Sequence, residues 1–177
     1  MSIDIHGLDE AELFVKKLGT TTKTLLSDAL NQLATKTQSN AVGDITKELN
    51  LSAHHVTPKF SIEKSSARTL IAKIRTAKKG LLLSHFDAVP LYVGNKRSAG
   101  VSVKVKRRRK TMKRAFMLRG KNGRELVAIR QGKARKNIKV LYGPSTSQAF
   151  DTFGDSLEKR AFTDFDTIFN QELDRLI

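Results

Sequence analysis

The sequence holds no cysteine at any of its 177 positions. That excludes disulfides, thiol catalysis, and zinc or iron–sulfur sites built on cysteine. Long apolar runs are missing too. The longest, around Leu81, Leu82 and Leu83, falls far short of the ~20 residues that a membrane-spanning helix needs, so a soluble protein is expected. Residues 1–10 carry acids and no apolar stretch, so no secretory signal is expected. Acids are scarce, 17 against 33 Lys and Arg, and none falls between Asp87 and Glu125. No aromatic residue lies between Tyr92 and Phe116, which argues against base stacking in that stretch.

What is present is positive charge. The formal balance is +16 and the isoelectric point about 10.3. Such a chain favours acidic partners: nucleic acid, an anionic membrane or an acidic protein surface. Hydrophobic residues make up 39%, enough for a core, and the length fits one domain over residues 1–177.

Within it, the apolar spacing sets a helical part (1–58), a β part (69–142) and a C-terminal helix (154–177). Leu8, Ala11, Val15 and Leu18, then Leu25, Ala29 and Leu33, recur at helical spacing and predict one long helix or two abutting ones over residues 8–36, with Gly19 as a weak point. A second helical stretch runs over 41–49, and Pro58 forbids continuation through it. From Thr69 the period becomes two. Leu70, Ala72 and Ile74 predict one strand, Val101, Val103 and Val105 another, and residues 81–86 a third. Asn122-Gly123 suits a two-residue hairpin turn, which sets Leu118 opposite Val127 and Phe116 opposite Ile129, all on one core face. Ile138, Val140 and Tyr142 predict one further strand, and Asp155 with Glu158 a capped helix whose stripe is Leu157, Ala161, Phe165, Ile168, Phe169 and Leu176. Helices, then strands, then a helix argue an α+β fold: long N-terminal helices, a small mostly antiparallel sheet with a basic hairpin, and a C-terminal amphipathic helix.

Four constellations bear on chemistry. The densest is the cationic segment 104–114, with Lys104, Lys106, Arg107, Arg108, Arg109, Lys110, Lys113 and Arg114. As a contact, it would neutralise phosphates or an acidic protein ring. As a bland feature, it would be a solvated tip extended by like-charge repulsion. Residues 44–60, DITKELNLSAHHVTPKF, resemble the start of a helix-turn-helix, with Ile45, Leu49, Leu51 and Val56 at burial positions and Asn50 at the left-handed turn. Pro58 would interrupt the recognition helix, so two short packed helices are the expectation. Of His6, His54, His55 and His85, the adjacent pair points about 100° apart on a helix, a poor metal site. No phosphate-binding glycine loop, strained nucleophile turn or clustered carboxylates point to catalysis, and no cofactor is expected.

The order of segments resembles the minor tail protein Z family of tailed phages. The match runs through Gly7-Leu8 at the start of a long helix, residues 29–51 (ALNQLATKTQSNAVGDITKELNL) and the basic tract 107–110. It continues through the turn at 121–124, residues 138–150 (IKVLYGPSTSQAF) and a closing helix with Phe162, Phe165 and Phe169. The resemblance implies a structural tail-completion protein, not an enzyme. It would form a homo-oligomeric ring, a hexamer by expectation, at the head-proximal neck of the virion, after assembly in the host cytoplasm. Its neighbours would be tail terminator, tail tube or head-completion proteins, with genomic DNA passing through the channel and no membrane involved. The rival reading is a non-specific nucleic-acid-binding protein acting through segment 104–114.

Overall fold

The computed structural model describes residues 19–93, 96–132 and 137–175. The helical spacing of Leu8, Ala11, Val15 and Leu18, and Leu176 of the C-terminal stripe, lie outside the described residues. The fold is α+β. Helix α1 (Thr20–Leu49) is followed by a single turn, α2 (Ala53–Val56). Ten strands follow: β1 (Phe60–Glu63), β2 (Lys73–Thr76), β3 (Gly80–Leu82), β4 (Val89–Val93), β5 (Lys96–Val105), β6 (Arg108–Met112), β7 (Ala115–Arg119), β8 (Glu125–Arg130), β9 (Ile138–Val140) and β10 (Tyr142–Ser145). Helix α3 (Thr146–Asp174) closes the described chain. The chain divides into two compact units. One is Met1–Val42, Lys59–Thr76 and Phe150–Ile177; the other is Gly43–Pro58 and Ala77–Ala149.

The first unit is a helical pair with a two-stranded ladder. Ala29 and Leu33 of α1 bury against Ala161 and Ile168 of α3, with Phe165 and Phe169 packed on the cluster. Burial of each large aliphatic here contributes about 1.5–3 kcal/mol. Polar contacts flank it: Lys36 pairs with Asp164 at 2.8 Å, and the Gln32 amide donates to Glu172 at 2.6 Å. The Asn31 side chain bonds both backbone groups of Ser65, at 2.7 and 3.2 Å, fixing the loop after β1. Strands β1 and β2 pair antiparallel, from Phe60 opposite Thr76 to Glu63 opposite Lys73.

Helix α1 is one continuous element of 30 residues, so the expected break near residues 36–41 is absent. Its hydroxyl residues, which otherwise favour caps and turns, are satisfied within the helix, as Thr35 Oγ1 is by donating to the Asn31 carbonyl at 2.9 Å. Helix α3 starts ten residues earlier than the Asp155 cap predicts. Ser145 is its cap: the Ser145 hydroxyl accepts from Gln148 N–H at 3.1 Å, and the Gln148 amide oxygen accepts from Ser145 N–H at 3.2 Å. This reciprocal box satisfies two donors that the helix start leaves free. The predicted strand over Leu70 and Ala72 is also shifted. Leu70 takes a left-handed φ of 46°, and the strand begins only at Lys73.

The second unit is built from three antiparallel sheets, β3 with β10, β4-β5-β6 and β7-β8-β9. Its fully buried side chains include Ile45, Leu49, Val56, Leu81, Phe86, Val101 and Val127. Helix α1 ends as the sequence indicates. Asn50 stands at φ 55°, and Leu51 N–H donates to the Thr46 carbonyl at 3.1 Å, which closes the last turn. Leu51 and Val56 are buried, yet α2 is only four residues long, so no recognition helix follows.

The turn at Asn122-Gly123 joins β7 and β8, but in a different register from the one expected. Gly123 N–H donates to Gly120 at 3.0 Å and Gly120 N–H donates to Arg124 at 2.8 Å, a three-residue loop with Gly123 left-handed at φ 71°. One extra loop residue slides the ladder by one. Met117 now faces Val127 and Phe116 faces Ala128, so Phe116 and Leu118 lie on the opposite face from Val127 and Ile129. Residues 81–86 give a three-residue strand and then a 3-10 turn, Leu83–His85. The strand expected over residues 138–142 is two, because β9 pairs with β8 whereas β10 pairs with β3.

Candidate functional site

Charge is partitioned between the two units. The ranges of the second unit hold 21 Lys and Arg against 4 Asp and Glu, a formal +17. Those of the first hold 12 against 13, a formal −1. At least 17 cations of the second unit therefore have no acid of that unit to neutralise them, however its acids pair.

The eight cations of segment 104–114 do not form one patch. Strands β5 and β6 pair with Lys104 opposite Arg109, Val103 opposite Lys110 and Val105 opposite Arg108, joined through Lys106 and Arg107. Side chains alternate across a strand, so Lys104 and Arg109 share one face while Arg108 and Lys110 share the other. Seven of the eight residues are exposed and Lys104 is half-buried. Lys113 and Arg114 sit in the short link between β6 and β7.

Two of the eight are engaged within the unit. Arg109 pairs through Nη2 with the Asp87 carboxylate, while its Nη1 donates to the Asp87 carbonyl and the Ser102 hydroxyl, each at 3.3 Å. Asp87 holds a left-handed φ of 47° beside the fully buried Phe86, so Arg109 secures that corner. Lys106, itself left-handed at φ 58°, reaches Glu48 at the end of α1 with Nζ–Oε1 2.9 Å. Among the described residues, no ion pair engages Arg107, Arg108, Lys110, Lys113 or Arg114. With Lys104, which is half-buried and likewise in no ion pair, they are the six cations of the segment left to act on a partner.

Nearby, the fold brings together histidines that the sequence keeps apart. The His55 and His85 rings stack with centroids 3.7 Å apart and planes at 5°, and His54 meets His55 edge-on at 5.4 Å. Burial lowers the His55 pKa below its ordinary value, and the neighbouring His54 lowers it further. Only the adjacency of His54 and His55 is visible in sequence; the His85 contact depends on the 3-10 turn after β3. Among the described residues, no group of three or more His, Asp or Glu is arranged to hold a metal ion. In the first unit, a cavity of about 60 Å³ is walled mostly by apolar side chains, including Leu30, Leu33, Ile74 and Phe150. Among the described residues, no helix is long and apolar enough to cross a membrane.

The geometry thus offers an electrostatic surface on a small antiparallel scaffold. No curated protein and no solved structure matches the chain. The family model for prophage minor tail protein Z matches residues 5–177. Its span takes in both units and the cation-rich strands, so the chain belongs to the prophage minor tail protein Z family, a family of structural proteins of the phage tail.

Proposed function

We propose that this tail protein completes the tail, forming a ring at the head-proximal end through whose channel genomic DNA passes. The observation that carries the reading is the partition of charge, +17 in the ranges of one unit against −1 in those of the other. A ring subunit that meets DNA or an acidic neighbouring ring needs positive charge concentrated on one part and a nearly neutral remainder for packing. Uniformly spread charge would instead make copies repel one another. Closed cyclic symmetry, a hexamer in this reading, is the usual arrangement for such a homo-oligomer. The neighbours would be tail terminator, tail tube or head-completion proteins. The subunit acts by binding, without catalysis or cofactor, after assembly in the host cytoplasm.

The test is complementation of a phage lacking the gene by a chain with Arg107, Arg108 and Lys110 changed to Ser. Arg109 is spared because it secures Asp87. Tails should form, but joining to heads or DNA delivery should fail. Full infectivity would sink a role of these cations in the virion. Normal infectivity together with lost DNA binding in vitro would favour the rival, a free nucleic-acid-binding role. Imaging of virions decides the ring itself: density for this chain anywhere but the neck overturns it.

A further inference from the structure

Helix α3 presents an acidic face. It carries seven acids, Asp151, Asp155, Glu158, Asp164, Asp166, Glu172 and Asp174, against two cations, Lys159 and Arg160. At 3.6 residues per turn, Asp151, Asp155, Phe162 and Asp166 fall within about 60° of arc. All four are exposed, and Phe162 keeps 55% of its surface open, the one large apolar side chain of the helix that does so. Ala161 and Ile168, on another side of the same helix, are buried. Asp164 and Glu172 are engaged by Lys36 and Arg175, whereas among the described residues no ion pair holds Asp151, Asp155 or Asp166. An acidic stripe with an exposed aromatic at its centre has the composition of an interface, charge at the edge and an apolar anchor within.

We propose that this stripe docks on the β5–β6 cations Arg107, Arg108 and Lys110 of a second copy of the chain. Charge complementarity selects the occupant: the same chain carries an unneutralised cationic face and an exposed acidic one, on residues assigned to different units. The contact joins unlike surfaces, so each copy keeps one acidic and one basic face free for the next. Such head-to-tail contacts close into a ring where the rotation permits. The proposal deepens the ring reading, on which it rests, by naming the two faces that meet. It uses three cations of the 21 in that unit's ranges, and on an unassembled chain the same three remain open to phosphate.

The experiment is sedimentation velocity on the full chain in about 50 mM and about 500 mM salt, where screening separates electrostatic from apolar association. The parent should assemble at low salt and weaken at least about tenfold at high salt. A chain with Asp151, Asp155 and Asp166 changed to Lys should stay monomeric, and so should one with Arg107, Arg108 and Lys110 changed to Glu. Mixing the two should restore assembly, because each variant's altered face then meets its complement; so should a chain carrying both swaps. If either single swap assembles like the parent, or the folded double swap stays monomeric while the parent assembles, the docking is overturned and the ring stands on another interface. A parent that stays monomeric at low salt overturns the self-docking outright, while the virion image decides the ring separately.

Discussion

Replacing Gly143 by Ala should strain the second unit badly, although the change adds a single carbon. A Cβ there would lie 2.5 Å from Phe86 Cε2, 2.8 Å from Cζ and 3.2 Å from Cδ2. The Phe86 ring is 0% exposed, so it has no solvent-side space into which to turn. Overpacking of a closed core costs about 1–3 kcal/mol, and two contacts below 3.0 Å on an immobile ring put this case at about 2–3 kcal/mol. At about 2–4 °C per kcal/mol for a chain of this size, the melting temperature should fall by about 4–12 °C. The control is Gly43→Ala in α1, assigned to the same unit, where a Cβ meets nothing within 4 Å. A helix-interior glycine costs about 0.5–1 kcal/mol relative to alanine, so this second change should raise the melting temperature. Thermal melts followed by circular dichroism read both. A Gly143→Ala protein that melts within a degree of its parent would refute the packing of Phe86 against β10, and a destabilised Gly43→Ala would refute the open helix face.

Ser145→Ala should cost about 1 kcal/mol in denaturant melts by removing the cap of α3, whereas Asp155→Ala, mid-helix, should change little. The lowered His55 pKa means that the unfolded chain takes up this proton at a higher pH than the folded one. Stability should therefore be complete above the ordinary histidine pKa of 6.5, fall as pH drops below it, and level off once the folded His55 is itself protonated; His55→Gln should flatten that fall. Arg109→Ser should lower the melting temperature measurably more than Arg107→Ser, because only Arg109 donates to Asp87 and Ser102. The Arg107, Arg108 and Lys110 triple Ser change should flatten the slope of log DNA affinity against log salt by about 2–3 units, and an unchanged slope would show that these cations do not touch phosphate.

Local chemistry was legible where one residue decides the outcome. Asn50 tolerates the left-handed region, and it does end α1; the α-helical turn stops at Val56, ahead of Pro58, but a 3-10 turn, Thr57–Lys59, runs through the proline to β1. Ile45, Leu49, Leu51 and Val56 were readable as core because their spacing suits helix and helix end alike. The β7–β8 register was not legible, because Asn-Gly is compatible with loops of either two or three residues, and that single residue reverses every side chain. The start of α3 was written in the sequence as Ser145 and Gln148, a capping box three residues apart, but Asp155 and Glu158 present the same spacing further on. The split of Ile138 to Tyr142 between two sheets has no local signature, since it depends on which strand lies beside each half. The candidate cations were all visible as charge. Their division into two that are engaged at home and others that are not depends on Asp87 and Glu48, 22 and 58 residues away from their partners.

The helical unit draws its core from distant stretches of chain. Ala29 and Leu33 wait for Ala161 and Ile168, and the Gln32–Glu172 contact spans 140 residues. At a synthesis rate of about 5–20 residues per second, that separation corresponds to roughly 7–30 s. Throughout that time the apolar stripe of α1 has been made and its partner has not. The ranges of the β-rich unit end at residue 149, so all of that unit has been made before Ala161 and Ile168. A nascent chain of this protein therefore exposes an unsatisfied amphipathic helix for most of its synthesis, and a truncated product would retain that exposed stripe permanently, which marks it for chaperones or proteases before it can reach a growing tail.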